Sequence, residues 1–167
     1  MVLTKSELLD ALRKEVRILV HLSGKFDRSQ VDYRPTSKQR SALELFRYLS
    51  YMGPQLIMMA KSSFDPARWQ AAVQAGDARG FDDTMAIIAA LPETYETLLS
   101  DVSDEDFRVE MTGFDGKKIS RGAFIVALVL GGHAAYRTQL FVYLKACGRE
   151  ELSTLNLWQG VDPGQAA

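Results

Sequence analysis

The chain is poor in the residues that carry the commonest catalytic and covalent chemistry. Its 167 residues include one cysteine, Cys147, and two histidines, His21 and His133. A single thiol cannot close an internal disulfide, and there is no CxxC pair for a structural zinc or a redox centre. A reducing cytosol is the expected compartment. The chain has no HExxH, Walker loop, GxGxxG or GxSxG, which removes the recognisable signatures of zinc proteases, nucleotide binders and serine hydrolases. Neither sign of charge is in excess, with 20 Lys and Arg against 21 Asp and Glu. Nucleic acid is therefore not an expected partner, since phosphate binding needs a basic excess or patch. The one notable basic cluster, Arg34, Lys38 and Arg40, reads as a solvated loop rather than a phosphate site.

Long hydrophobic runs are missing too. The longest, Ala123 to Ala135, is interrupted by glycines and His133. It is too short to span a bilayer and reads as a buried helix, so no membrane is expected. The first residues, MVLTKSELLDALRKEV, are amphipathic and charged, without the apolar core of a secretion signal.

What the chain does have is helical periodicity. Apolar residues make up 47% and charged residues 25%, the balance of an ordinary globular domain. Leu8, Leu12, Leu19 and Leu22 mark helix one over residues 5–22, capped by Thr4 or Ser6 and closed by Ser23-Gly24 in a left-handed turn. A polar loop follows over 25–38. Helix two covers about 38–60, with Leu45, Leu49, Met52 and Leu56 on one face and Pro54 as a kink. Asp65-Pro66 starts a short helix that docks through Trp69 and Val73 and ends at Gly76 and Gly80. Helix three spans about 82–102, with Pro92 as a break. The alternation over 107–119, with Asp115-Gly116, predicts a small hairpin. Helix four spans 120–146 and closes at Gly148. The tail is expected to fray beyond Trp158. Four long helices with a long connection between the second and third predict an all-α four-helix bundle.

Few residues invite a chemical reading. Glu15 falls at an inward position of helix one, and a buried carboxylate needs a partner or a proton. Arg47, Arg137 and tyrosine hydroxyls are its candidate partners, and a structural ion pair or a surface placement is favoured over a catalytic role. Glu44 precedes Tyr48 by one turn. On helix four, Gly132, Tyr136, Gln139 and Tyr143 form one stripe, and His133 and Arg137 form its neighbour. Either these residues make a polar pocket at the bundle centre, or they are core tyrosines whose hydroxyls reach the rim. His21 reads as a surface residue or a helix-terminal cation.

Two segments resemble the DinB superfamily. One is Tyr33-Arg-Pro-Thr-Ser-Lys-Gln-Arg-Ser-Ala-Leu-Glu-Leu-Phe-Arg-Tyr-Leu49. The other is Gly131-Gly-His-Ala-Ala-Tyr-Arg-Thr-Gln-Leu-Phe-Val-Tyr-Leu-Lys-Ala-Cys-Gly148, and Leu155-Asn-Leu-Trp158 is similar to the family's ending. The resemblance implies a DinB-like bundle over 1–160 with a flexible tail over 161–167, and frequent dimers. It also implies a divalent metal held by one histidine from helix two and two from helix four at i and i+4. Here those positions carry Tyr48, Gly132 and Tyr136. A shift by one brings in His133, with Arg137 in the second place. No intact metal site and no cofactor are therefore expected. The gap at Gly132 either admits a small molecule or lets the helices close, and the sequence does not choose.

The expected function is a degenerate, non-metal-binding DinB-like module with a pocket around Tyr48, Glu44, Gly132, Gln139 and Tyr143, either structural or holding a small-molecule ligand. The alternative is a divergent transferase acting on a thiol or small electrophile through Tyr48, His133, Tyr136 and Arg137. A third reading rebuilds a metal site from His133 with Glu44 or another carboxylate. A homodimer is the expected assembly, through the surplus apolar face of Tyr51, Met52, Met58, Met59 and Phe64.

Overall fold

A computed structural model describes residues 3–164 of the chain. Helix α1, Lys5–Ser23, begins at a capping box in which the Thr4 hydroxyl accepts from the Glu7 amide and the Glu7 carboxylate accepts from the Thr4 amide. Leu8, Leu12, Val16 and Leu19 turn to the core. The helix ends at Gly24, whose φ of −67° is right-handed, so the expected left-handed closure does not form. Helix α2, Ala42–Lys61, starts at a second box, Ser41 with Glu44, four residues later than the periodicity suggested. It runs on through Pro54. Helix α3, Pro66–Asp77, has Asp65 as its cap and Pro66 in its first turn, as expected, but Gly76 lies inside it.

Helix three is broken at Pro92 into α4, Phe81–Ala89, and α5, Leu91–Leu98. The expected hairpin is present: β1, Glu110–Thr112, pairs antiparallel with β2, Lys118–Ser120, in the register Met111 opposite Ile119. The fourth helix is continuous over Arg121–Ala146 but not uniform. Its segments are α6, Arg121–Ile125, a π-helical turn, Val126–Leu130, and α7, Gly131–Ala146. The Gly131 amide reaches back five residues to the Val126 carbonyl. This wide turn resets the facing of everything before it, and such turns gather at functional sites. A short helix α8, Thr154–Gln159, which the periodicity missed, packs on α1.

The all-α bundle is built by α1 against α5 and α7, and by α2 against α4, α5 and α7, with α3 laid over α2. Basic side chains from neighbouring elements satisfy carbonyls left open at helix ends. Arg121 Nε donates to Ala60 O at 2.9 Å, and Lys61 Nζ to Leu98 O at 2.7 Å.

Three expectations need correction. The apolar run over 123–135 is not simply buried. Phe124, Ile125 and Val129 face the core, while Ala123, Val126, Ala127 and Ala135 face outward. By length and composition the whole helix could cross a membrane, but its inner stripe also carries buried His133 and Arg137. The surplus apolar face is only partly absorbed within the chain: Met52 and Met59 are buried and the Tyr51 ring packs edge-on against Trp69 of α3, while Phe64 is exposed. The expected free tail over 161–167 is tied down at its start, because Asp162 pairs with Lys25 at 2.6 Å and accepts from Asn156 Nδ2 at 2.9 Å. Residues 165–167 lie outside the described residues.

Gly53 shows how tightly α2 meets α5. A Cβ added there would lie 2.1 Å from the Tyr95 hydroxyl and 2.9 Å from its ring. Alanine favours a helix by about 1 kcal/mol over glycine, but Tyr95 is wholly buried and has nowhere to go. Gly53→Ala should therefore cost a net ~2 kcal/mol of stability in urea unfolding. A neutral or stabilising result would mean that α5 yields at this crossing.

Candidate functional site

Tyr48, Gly132 and Tyr136, the positions where the resemblance implies metal ligands, do come together. The Tyr48 and Tyr136 rings meet edge to face, with centroids 5.3 Å apart. Gly132 lies between them and Met52: an added Cβ would sit 3.1 Å from the Met52 sulfur and 3.2 Å from its methyl. The space left by glycine is thus taken by the end of the Met52 side chain, and α2 and α7 close there.

A divalent metal does not fit this set. A phenol binds zinc or nickel well only after losing its proton. Burial, with Tyr136 beside it, pushes the Tyr48 phenol up to about 12 against the opposing pull of Arg40. Gly132 offers no donor. Among the described residues no three His, Cys, Asp or Glu side chains gather elsewhere.

A cavity does exist beside this point. It is a groove of about 410 Å³ walled by Tyr48, Met52 and Leu56 of α2, Trp69 of α3, Phe114 of the hairpin, and Leu128 and Tyr136 of the long helix. Ala127, Gly131, Gly132 and Ala135 complete its lining, so the small residues of the π turn and α7 leave room for it. Its size is that of a small-molecule site, and its walls are apolar with few polar groups, as such sites usually are. A larger apolar pocket of about 580 Å³ shares the π turn, which gives Val126 and Leu130 to that pocket and Ala127 and Leu128 to the groove.

On its other side Tyr136 also lines a second, polar hollow, with Lys38, Gln39, Arg40, Leu45 and Gln139. The Arg40 guanidinium lies 4.4 Å over the Tyr48 ring, a favourable cation–π placement. Two of the expected pocket residues hold this loop instead of lining the groove. Gln139 Nε2 donates to the Tyr143 hydroxyl at 2.6 Å, and that hydroxyl donates to the Arg40 carbonyl at 3.0 Å. Tyr143 is itself buried. Glu44 also lies outside the groove. It caps α2 through the Ser41 amide and pairs with Arg34 at 3.1 Å.

His133 and Arg137 face elsewhere. His133 is fully enclosed, its Nε2 is 2.6 Å from the Tyr95 hydroxyl, and Nδ1 has no partner among the described residues. Burial pushes its pKa down to about 4, so the ring is neutral. Arg137 Nη1 bonds Glu15 at 3.0 Å, both side chains buried, with Trp158 of α8 over the guanidinium. The four-residue constellation of Tyr48, His133, Tyr136 and Arg137 therefore does not form. The two tyrosines line a groove, while the other two residues satisfy core groups on the adjoining stripe of α7. The pairing of His133 with Glu44 fails for the same reason. The expected structural ion pair of Glu15 is present, with Arg137 as its partner. His21 is not a terminal cation. It is half-buried, bonded to Asn156 Nδ2 at 3.0 Å, and burial lowers its pKa.

Sequence reasoning missed Trp69 and Phe114 as groove walls and Tyr95 as the partner of His133. Periodicity assigns a residue to a face, but these three arrive from other elements, and no local signal tells which faces will meet.

The chain's sequence matches no family model and none of the curated proteins. Among solved structures it is similar to a DinB-like protein, YjoA, from Bacillus subtilis. The two superpose with a TM-score of 0.65 over 87% of this chain and 94% of that one, at 18% identity. Likeness at that identity speaks for the fold. The superposition gives the chain the fold of that DinB-like protein.

Proposed function

We propose that the protein is a small-molecule-binding module whose ligand lies in the groove between α2, α3 and the long C-terminal helix, and that it binds without a metal. The observation that carries this is the groove itself. It opens beside Tyr48 and Tyr136, where the sequence resemblance implies metal ligands, with aromatic walls, alanine and glycine between them, and no carboxylate, imidazole or basic side chain in its lining. A site of this kind binds by shape and apolar burial, at about 25 cal/mol per Å² removed from water. It has no base or nucleophile in reach, because the one nearby histidine is enclosed in the core.

The test uses a neutral fluorescent probe, N-phenyl-1-naphthylamine. The wild-type chain should enhance its emission at a single saturable site. Ala135→Trp fills the groove and should weaken binding at least ten-fold. Val126→Trp fills the neighbouring pocket and should leave binding unchanged. No saturable binding, or binding lost with Val126→Trp but kept with Ala135→Trp, would overturn the assignment.

A further inference from the structure

The loop over residues 34–40 is the one basic cluster in the chain, and a sequence reading leaves it as a solvated connection. Its placement gives it another role. Arg34 is neutralised by Glu44 at 3.1 Å. Lys38 and Arg40 have no such partner among the described residues, and both line a hollow that shares Tyr136 with the aromatic groove. Arg40 is also held. Its carbonyl accepts from Tyr143, which accepts from Gln139, so the loop is pinned to α7 with its guanidinium over Tyr48. Asp77 acts on the Tyr51 phenol against Arg40, and it is not among the residues that line the hollow.

We infer that the ligand is an amphiphile with a flat apolar body and an anionic end such as a carboxylate. The body lies in the groove among Tyr48, Met52, Trp69 and Tyr136. The anion rests in the hollow against Lys38 and Arg40. This inference builds on the groove assignment above. The physical reason is complementarity at each end: apolar walls exclude a charged body, and a net positive hollow attracts an anion. A guanidinium offers a carboxylate two parallel donors, which a neutral head cannot use as well. Tyr143 and Gln139 are positioning residues in this scheme, since they act only by holding Arg40.

The experiment is calorimetric titration of the full chain with three probes of one body: 2-naphthoate, 2-naphthamide and 2-naphthylmethylamine. Naphthoate should bind at least ten-fold tighter than the amide, and the amine weakest. Added salt should weaken naphthoate alone. Arg40→Gln combined with Lys38→Gln should bring naphthoate down to the affinity of the amide while leaving the amide unchanged. Both positions are exposed, so the variant should fold normally. Equal affinity for naphthoate and amide, or a preference that survives the double substitution, overturns the anionic end while the groove assignment stands. No binding of any of the three overturns both.

Discussion

Arg137→Met should be among the most damaging single substitutions in the chain, costing about 3–5 kcal/mol at neutral pH. Arg137 and Glu15 form a buried pair, with side chains 4% and 12% exposed. Removing the guanidinium leaves a carboxylate in the core with no counter-charge. The sign of the pH dependence identifies the cause. Burial already raises the Glu15 pKa, against the opposing pull of Arg137. Without Arg137 the pKa rises further, and the folded state then binds a proton that the unfolded state does not. Stability of the variant should therefore recover as pH falls below neutrality, relative to wild type. The pair is imperfect, since Glu15 Oε2 and Arg137 Nε have no partner among the described residues. Glu15→Leu together with Arg137→Met should accordingly return most of the loss. Urea unfolding of the three variants at pH 5 and pH 8 checks this. A catalytic role for Arg137 would predict a well-folded single variant, and that outcome would sink the structural assignment.

The second large effect concerns His133. Its ring is neutral in the fold because burial pushes its pKa from 6.5 down to about 4. The unfolded chain thus binds more protons than the folded one between those values. The stability that His133 permits is fully present above pH 6.5 and is lost as pH falls toward 4. At about 1.4 kcal/mol per pH unit the loss reaches about 3 kcal/mol. Glu15 titrates with the opposite sign, so the contribution of His133 is read as a difference between two proteins. His133→Gln preserves an acceptor for the Tyr95 hydroxyl and cannot titrate, so it should be flatter than wild type from pH 6.5 to 4 by that amount. Identical pH profiles would mean that the imidazole is protonated in the fold, with a counter-charge in reach.

Both predictions turn on residues that look catalytic along the sequence. His133, Arg137 and Tyr136 lie within five positions on one helix, and spacing alone sets them on adjoining stripes. The 100° or so between adjacent stripes then decides their roles. On one side Tyr136 meets Tyr48 across an open groove. On the other, His133 and Arg137 meet Tyr95 and Glu15 inside the core.

The sequence by itself determined the four-helix plan, the hairpin, the break at Pro92, the cap at Asp65, and which residues stand at the motif positions. These follow from local causes: apolar period, capping chemistry, the missing amide of proline, and residue identity at a motif position. The tertiary structure alone decided that Met52 closes the gap at Gly132, that Trp69 and Phe114 wall the groove, and that a π turn rephases the last helix. It alone also placed Lys38 and Arg40 in a hollow beside Tyr136, with Arg40 over the Tyr48 ring. Each of these depends on which side chains arrive from distant elements to occupy the same space. Packing at close to crystalline density settles that question for the whole chain at once, and no local pattern encodes it.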